Sequence, residues 1–321
     1  MKKVLLPQKI RDEGMDVLKG KVELVIAPDP SQDTVAELIK DVQGVILRTT
    51  SAITREMIAS APQLEVISRT GVGVDNIDVG AASEHGVMVC NLPGVNSISV
   101  AEHAVALIVA LAKTLPYFDH EVRKGNWKSR NAYRSGELYQ KTLGIIGFGR
   151  IGSYVASIMG KGFGMNILAY DPYLSHAGDS ELKVTFCELE ELLAAADVVS
   201  VHLPATSDTK GLLNKERLKL LKPSAYFINT ARGSVVDESA LVELLQAGKI
   251  AGAGLDVFEE EPVAMDHPFA TLDNVILSPH AAALTKECVV RAAVEAAEAV
   301  IDVFAGREPK HLYNKAALKR G

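Results

Sequence analysis

The chain has 321 residues, 48% of them hydrophobic and 5% aromatic, with 34 lysines and arginines against 40 aspartates and glutamates, a formal charge of −6. That balance supplies no basic surface for nucleic acid or an anionic membrane, so neither is expected as a partner. Three scattered cysteines, Cys90, Cys187 and Cys288, form neither a disulfide framework nor a zinc pattern; no metal is expected, and a reducing, cytoplasmic location is.

The first run, "KVLLP", is cut short by Pro7, Gln8 and Lys9, and reads as a strand rather than a secretory leader. "VELVIAP", "GVILRT", "LEVISRT" and "VMVCNLP" follow as strands before residue 95, separated by helix-length sequence. Near-continuous apolar strands of this kind belong to parallel sheets covered on both faces. "SVAEHAVALIVALAK", from Ser99 to Lys113, reads as an alanine-rich helix capped by Ser99, with Glu102 completing a capping box. Six more strands come next: "TLGIIGFG", "NILAYDP", "DVVSVHLP", "AYFINTA", "GAGLDVF" and "NVILSPH". A second alanine-rich helix begins near Glu287. Domain breaks are expected near residues 98 and 287, flanking the second strand series. No apolar run reaches the roughly eighteen residues of a membrane span.

"GIIGFGRIG" sets Gly147, Gly149 and Gly152 in a G-x-G-x-x-G pattern between a strand and an amphipathic helix bearing Ile151, Val155, Ile158 and Met159. The first glycine serves the turn, the second lets backbone approach a pyrophosphate, and the third allows close helix–strand packing. Asp171 stands 19 residues after Gly152, at the end of "NILAYDP". Its carboxylate accepts hydrogen bonds from ribose hydroxyls and repels a 2′-phosphate, and no arginine adjoins it. The expected cofactor is therefore NAD rather than NADP, in a doubly wound Rossmann-type sheet.

Three successive strand ends carry further charge: Arg232 after "YFINTA", Glu261 after "GAGLDVF" and His280 after "NVILSP". A guanidinium there calls for an anionic partner, which a substrate carboxylate supplies through charge-assisted hydrogen bonds. His280 suits the exchange of a hydroxyl proton, and Glu261 suits the far ring nitrogen.

These segments resemble the D-isomer-specific 2-hydroxyacid dehydrogenase family, through "GIIGFGRIG", "AYDP", "HLP", "NTARGSVVDESAL", "AGAGLDVFEEEP" and "NVILSPH", over nearly the whole chain. The resemblance implies that Arg232, Glu261 and His280 form the catalytic set. It implies a discontinuous flavodoxin-like α/β substrate domain of residues 1–98 and 287–321, with residues 99–286 as the NAD-binding domain. It carries cofactor contacts to Arg150 and Ile151 at the pyrophosphate and to Leu203 near the adenine. Thr230 and Asp256 fall at the nicotinamide end, Asp256 through the carboxamide. A homodimer joined through the cofactor domains is implied as well.

In "SRTGVGVDNID", Gly71 and Gly73 permit exposed amides, and the matching family loop holds the substrate carboxylate at Val72 and Gly73. The wording is most similar to phosphoglycerate dehydrogenases. Arg48 and Arg69 are candidate phosphate contacts, with Arg130 and Arg134 as further ones. Three departures stand against that pattern: Thr50 replaces a second arginine, "AAALT" follows His280 in place of a glycine-containing stretch, and the chain ends at residue 321. The last implies no serine feedback through an appended domain.

The leading expectation is an NAD-dependent dehydrogenase of a D-2-hydroxy acid, with 3-phosphoglycerate and phosphohydroxypyruvate first. A hydroxypyruvate or glyoxylate reductase, or another reductase of an unphosphorylated 2-keto acid, is the enzymatic alternative. An NADH-sensing, corepressor-like binding protein is the non-enzymatic one. Formate dehydrogenases are disfavoured, since related ones carry glutamine where Glu261 stands. Glu102 and His103 are adjacent in a helix and diverge, which is poor metal geometry. His202 either lines the cofactor crevice or packs; His85, His120, His176, His267 and His311 read as ordinary surface or loop residues.

Overall fold

The apolar runs become strands of two parallel sheets in the computed structural model, which describes residues 1–176 and 182–318. The chain divides into one unit of Met1–Asn96 with Leu284–Gly321 and a second of Ser97–Ala283. The breaks thus fall after Asn96 and Ala283.

In the first unit, β1 (Lys3–Leu6), β2 (Glu23–Ile26), β3 (Gly44–Leu47), β4 (Val66–Arg69) and β5 (Met88–Cys90) lie in the order β2-β1-β3-β4-β5. All pairings are parallel, and the order is that of flavodoxin-like sheets. Side chains alternate between two cores. Leu5, Val45, Leu47, Ile67 and Val89 fill one; Val4, Leu6, Ile46, Val66 and Cys90 fill the other, against Ala292, Ala293 and Ala296. Those alanines lie on the helix Lys286–Phe304, which starts where the Thr285 side chain accepts from the Cys288 amide at 3.2 Å. The helix Asp12–Leu18 packs closely on it because Gly14 has no side chain: a Cβ there would lie 2.6 Å from the Ala293 carbonyl oxygen. The β5 edge is covered by the tail. Asn314 Oδ1 accepts from Val89 N at 3.0 Å, its Nδ2 donates to Val87 O at 2.9 Å, and Leu312 bridges Cys90.

In the second unit, β6 (Thr142–Ile146), β7 (Asn166–Tyr170), β8 (Val184–Phe186), β9 (Val198–Val201), β10 (Tyr226–Asn229), β11 (Gly252–Leu255) and β12 (Val275–Leu277) are ordered β12-β11-β10-β9-β6-β7-β8. All are parallel. The order reverses between β6 and β9, the switch point at whose carboxyl edge open α/β sheets receive ligands. Leu107, Ile108 and Leu111 of the helix Ser97–Ala112 join Leu143, Ile145, Val198 and Ile228 on one side of the sheet. Ile146, Val199, Val201, Phe227 and Leu255 face the other core.

Two local readings are corrected. The helix starts at Ser97, so Ser99 is a buried first-turn residue and not the cap. No residue between them breaks a helix. The edge strand β8 does not follow from the sequence, because Thr185 is exposed, Val184 and Phe186 are only half-buried, and the three form no apolar run. No single helix among the described residues is long and apolar enough to cross a membrane.

Candidate functional site

Each glycine of the turn after β6 has a different physical reason. Gly147 has φ +93°, in the left-handed region, and a Cβ on it would sit 2.8 Å from the His202 carbonyl oxygen. Around Gly149 nothing lies within 4 Å of a built Cβ, so that face of the backbone is open. A Cβ on Gly152 would meet the Gly147 carbonyl oxygen at 2.2 Å. The helix Arg150–Phe163 begins right after Gly149, which has no side chain to cap it. Its first-turn amides and the positive end of its dipole suit a phosphate group.

Asp171 follows β7 and is held by backbone. Oδ2 accepts from Phe148 N and Oδ1 from Tyr173 N, each at 2.9 Å. Both oxygens are thereby aimed, and both retain a lone pair for ribose hydroxyls. Leu203 is buried against the glycine turn, its Cδ2 3.0 Å from a Cβ built on Gly147. Thr230 is buried just past β10, and its hydroxyl meets no partner among the described residues. Such an orphan costs about 1–3 kcal/mol unless a ligand meets it. An open cradle, an aimed carboxylate and an orphaned hydroxyl together fit a dinucleotide. His202 shares a 2.9 Å hydrogen bond with Ser200 through Nε2, and burial pushes its pKa down to about 3, leaving the ring neutral.

Arg232, Glu261 and His280 follow β10, β11 and β12, three adjacent strands. Glu261 and His280 are brought together: Oε2 lies 2.6 Å from Nδ1, with the side chains 36% and 42% exposed. The other Glu261 oxygen accepts from Phe258 N at 3.1 Å, which fixes the carboxylate plane. With Nδ1 engaged, Nε2 is the nitrogen left for proton exchange. Arg232 is partly buried, and its Nη1 donates to the Ala231 carbonyl at 2.7 Å, folding the guanidinium back toward the strand end.

His280 has φ +52°, a left-handed conformation that costs a non-glycine residue roughly 1–2 kcal/mol. Asp256 accounts for its persistence. His280 N donates to the Asp256 carbonyl at 2.8 Å, while Ala281 N and Ala282 N donate to Oδ1 and Oδ2 at 2.8 and 2.9 Å. Ser278 Oγ adds a 2.6 Å bond to Oδ1. Asp256 is 1% exposed, so this nest of donors replaces its water. Since the one Ser278 hydroxyl proton goes to Asp256, Ser278 accepts from His103 Nε2 at 2.9 Å, and that nitrogen carries the hydrogen. Sequence reasoning gave no role to His103 or Ser278. Asp256 was the available signal, because a carboxylate ending a buried strand requires donors.

In the first unit, Arg69 ends β4 and Arg48 follows β3, with Leu47 and Arg69 in register. Arg48 is exposed. Arg69 lies across Gly71, where a Cβ would come within 1.7 Å of Nη1, so glycine makes that approach possible. Gly71 O accepts from Leu92 N at 2.9 Å, and Val72 O accepts from Asn91 Nδ2 at 2.7 Å. The amides of Val72 and Gly73 meet no acceptor among the described residues. Of the further arginines, Arg130 is exposed, whereas Arg134 lies over the Tyr117 ring, 4.3 Å from its centroid. Among the described residues, no group of three or more His, Cys, Asp or Glu could hold a metal ion.

Comparison with known proteins adds four findings. Residues 105–282 match the family model described as D-isomer specific 2-hydroxyacid dehydrogenase, NAD binding domain. The chain is 38% identical over 318 residues to D-3-phosphoglycerate dehydrogenase of Archaeoglobus fulgidus, covering 99% of this chain and 60% of that protein. It thus spans about three-fifths of that relative's length. It is 39% identical to glyoxylate reductase of Korarchaeum cryptofilum, covering 99% and 97% of the two chains. The structure of D-lactate dehydrogenase from Aquifex aeolicus, complexed with NAD and lactic acid, superposes with a TM-score of 0.84 at 33% identity, covering 95% and 96%.

Proposed function

The chain belongs to the D-isomer specific 2-hydroxyacid dehydrogenase family and carries its NAD-binding domain, and from that premise we propose that it interconverts a D-2-hydroxy acid and the corresponding 2-keto acid. The observation that carries this reading is the 2.6 Å Glu261–His280 pair, which leaves Nε2 for a substrate oxygen. Bound NAD supplies or accepts the hydride. His280 holds the exchanged proton at Nε2, and Glu261 keeps the ring in one tautomer and offsets the charge of the imidazolium. Arg232 holds the substrate by hydrogen bonds to its carboxylate or carbonyl oxygen. Gly147, Gly149, Gly152, Arg150 and Ile151 cradle the pyrophosphate, Asp171 takes the ribose, and Leu203 packs near the adenine. Thr230 serves the nicotinamide end. Asp256 does so too, in addition to anchoring the His280 loop. The unit Ser97–Ala283 is the cofactor domain and the unit of Met1–Asn96 with Leu284–Gly321 the substrate domain, in which Val72 and Gly73 hold the carboxylate.

Within that class we favour 3-phosphoglycerate and phosphohydroxypyruvate, with Arg48 and Arg69 as the phosphate contacts. The exposed Arg48 guanidinium and the close Arg69–Gly71 approach support this. A glyoxylate or hydroxypyruvate reductase is the second reading, favoured by the engagement of Arg134 with Tyr117 and by similarity to a glyoxylate reductase over 97% of that enzyme. A homodimer in the cytoplasm is part of the proposal. Leu115, Val122, Trp127 and Tyr133 are 53%, 53%, 69% and 87% exposed, an apolar surface suited to a second copy.

NADH oxidation is measured with phosphohydroxypyruvate, hydroxypyruvate, glyoxylate, pyruvate and a branched 2-keto acid. Preference for the phosphorylated compound, lost on charge reversal at Arg48 and Arg69, supports the first reading. Preference for an unphosphorylated acid supports the second. Absence of turnover on the whole panel sinks the enzymatic reading and brings forward an NADH-responsive binding protein.

A further inference from the structure

We propose that Asn91 is a positioning residue that aims the backbone amides of Val72 and Gly73 at the substrate carboxylate. The inference rests on the reading above that this loop takes the carboxylate. A trans peptide directs its C=O and its N–H to opposite sides of one plane, so fixing the carbonyl fixes the amide. Two consecutive peptides are fixed in this way. The Gly71 carbonyl accepts from Leu92 N at 2.9 Å, which sets the direction of the Val72 N–H. The Val72 carbonyl accepts from Asn91 Nδ2 at 2.7 Å, which sets the Gly73 N–H.

Both donors come from neighbouring residues just beyond β5, so both carbonyls are drawn toward that strand end and both amides are turned from it. Neither amide meets an acceptor among the described residues. Adjacent outward N–H groups form a concavity for an anion, and a carboxylate has two oxygens to place there. The Leu92 contribution is main chain and survives any non-proline substitution; the Asn91 contribution is a side-chain amide. Its orientation is determined, since only the NH2 group can face a carbonyl oxygen. Asn91 is 8% exposed, so packing holds it in place. Without it, the Val72–Gly73 peptide is free to rotate and the Gly73 amide loses its aim, while the cofactor and proton-exchange groups are untouched.

The experiment uses the full chain, wild type, Asn91→Ala and Asn91→Asp, with NADH and two substrates: the best 2-keto acid of the panel and its methyl ester, which lacks the anionic carboxylate. Asn91→Asp keeps the side-chain volume while replacing the donor with an acceptor, so it reports even where the alanine variant folds poorly. The expected result is a fall in kcat/KM for the keto acid of about 10–100-fold in both variants, carried by KM, the loss typical of a hydrogen bond serving a charged group. The ester kinetics and the NADH affinity stay within about twofold of wild type. Unchanged keto-acid KM in Asn91→Asp overturns the inference, and so does an equal loss on acid and ester, which marks general damage. Wild-type protein that does not distinguish acid from ester overturns the carboxylate reading itself, and the inference with it.

Discussion

The loop Ser278–Ala282 in one unit and the loop Gly71–Gly73 in the other both follow the carboxyl ends of parallel strands, yet their backbone hydrogen bonds run in opposite senses. Around His280 the donors are turned inward: three successive amides and the Ser278 hydroxyl converge on Asp256, and a side chain is what remains on display. Around Val72 the acceptors are turned inward, onto Leu92 N and Asn91 Nδ2, and what remains on display is a pair of amides. The first arrangement displays an imidazole, to which the proposed mechanism gives proton exchange, and the second displays fixed dipoles, to which it gives the substrate carboxylate. A buried carboxylate organises one loop, and a neutral amide suffices for the other because a carbonyl needs only a single donor.

The largest break in this comparison is expected at the displayed side chain. His280→Ala lowers kcat by about 10²–10⁴, the range for losing a general acid–base, with NADH affinity nearly constant; steady-state kinetics with a fluorescence titration of NADH check both. An unchanged kcat removes His280 from the mechanism. Next comes the organiser. Asp256→Ala leaves two amides and a hydroxyl without their acceptor and lowers stability by about 3 kcal/mol, read by urea denaturation. It also releases His280 from its left-handed backbone, so kcat falls although His280 is still present; full activity in a folded variant would show that the nest is not needed.

The amide-displaying loop is expected to be more forgiving. In Gly71→Ala the new Cβ forces aside only the far end of the Arg69 side chain. Stability is therefore held to within roughly 1 kcal/mol, while KM for the keto acid rises about 3–10-fold, as for weakening one exposed electrostatic contact. A stability loss as large as that of Asp256→Ala would show that Gly71 supports the fold rather than the charge. The effect furthest from the chemistry is expected at His202, outside both loops. Its folded pKa, near 3, lies below the usual 6.5, so its contribution to stability is complete above pH 6.5 and is lost as pH falls toward 3, where the unfolded chain takes up a proton that the folded one refuses. Melting temperatures between pH 7 and 4 fall less steeply in His202→Gln than in wild type; parallel curves would assign the acid sensitivity elsewhere.

The contrast also explains what could be read from the sequence. The glycine turn, Asp171, Glu261 and His280 stand out in the sequence by residue type and spacing, and the fold brings Glu261 onto His280 Nδ1. The strands themselves followed from apolar runs, except β8, where partial exposure removed the hydrophobic signal. Ser99 misled because a serine two residues earlier competes for the same start. His103 and Ser278 were illegible for another reason: their partner lies far along the chain, and only the fold gives Ser278 an acceptor and a donor at once. The direction of the Val72 and Gly73 amides has no letter at all; it is set by which residue happens to meet the opposite end of each peptide.

The first unit is built from both ends of the chain, and this has a consequence for synthesis. When Asn96 leaves the ribosome, all five strands of its sheet exist, but the helix Lys286–Phe304 that covers Val4, Leu6, Ile46 and Val66 does not. Residues 97 to 283 must be made first, which at about 5–20 residues per second takes on the order of 10–40 seconds. By the end of that interval the second unit has every element of its own, while one face of the first has stayed without its covering helix. The sheet of the first unit is made before the second unit and is covered after it.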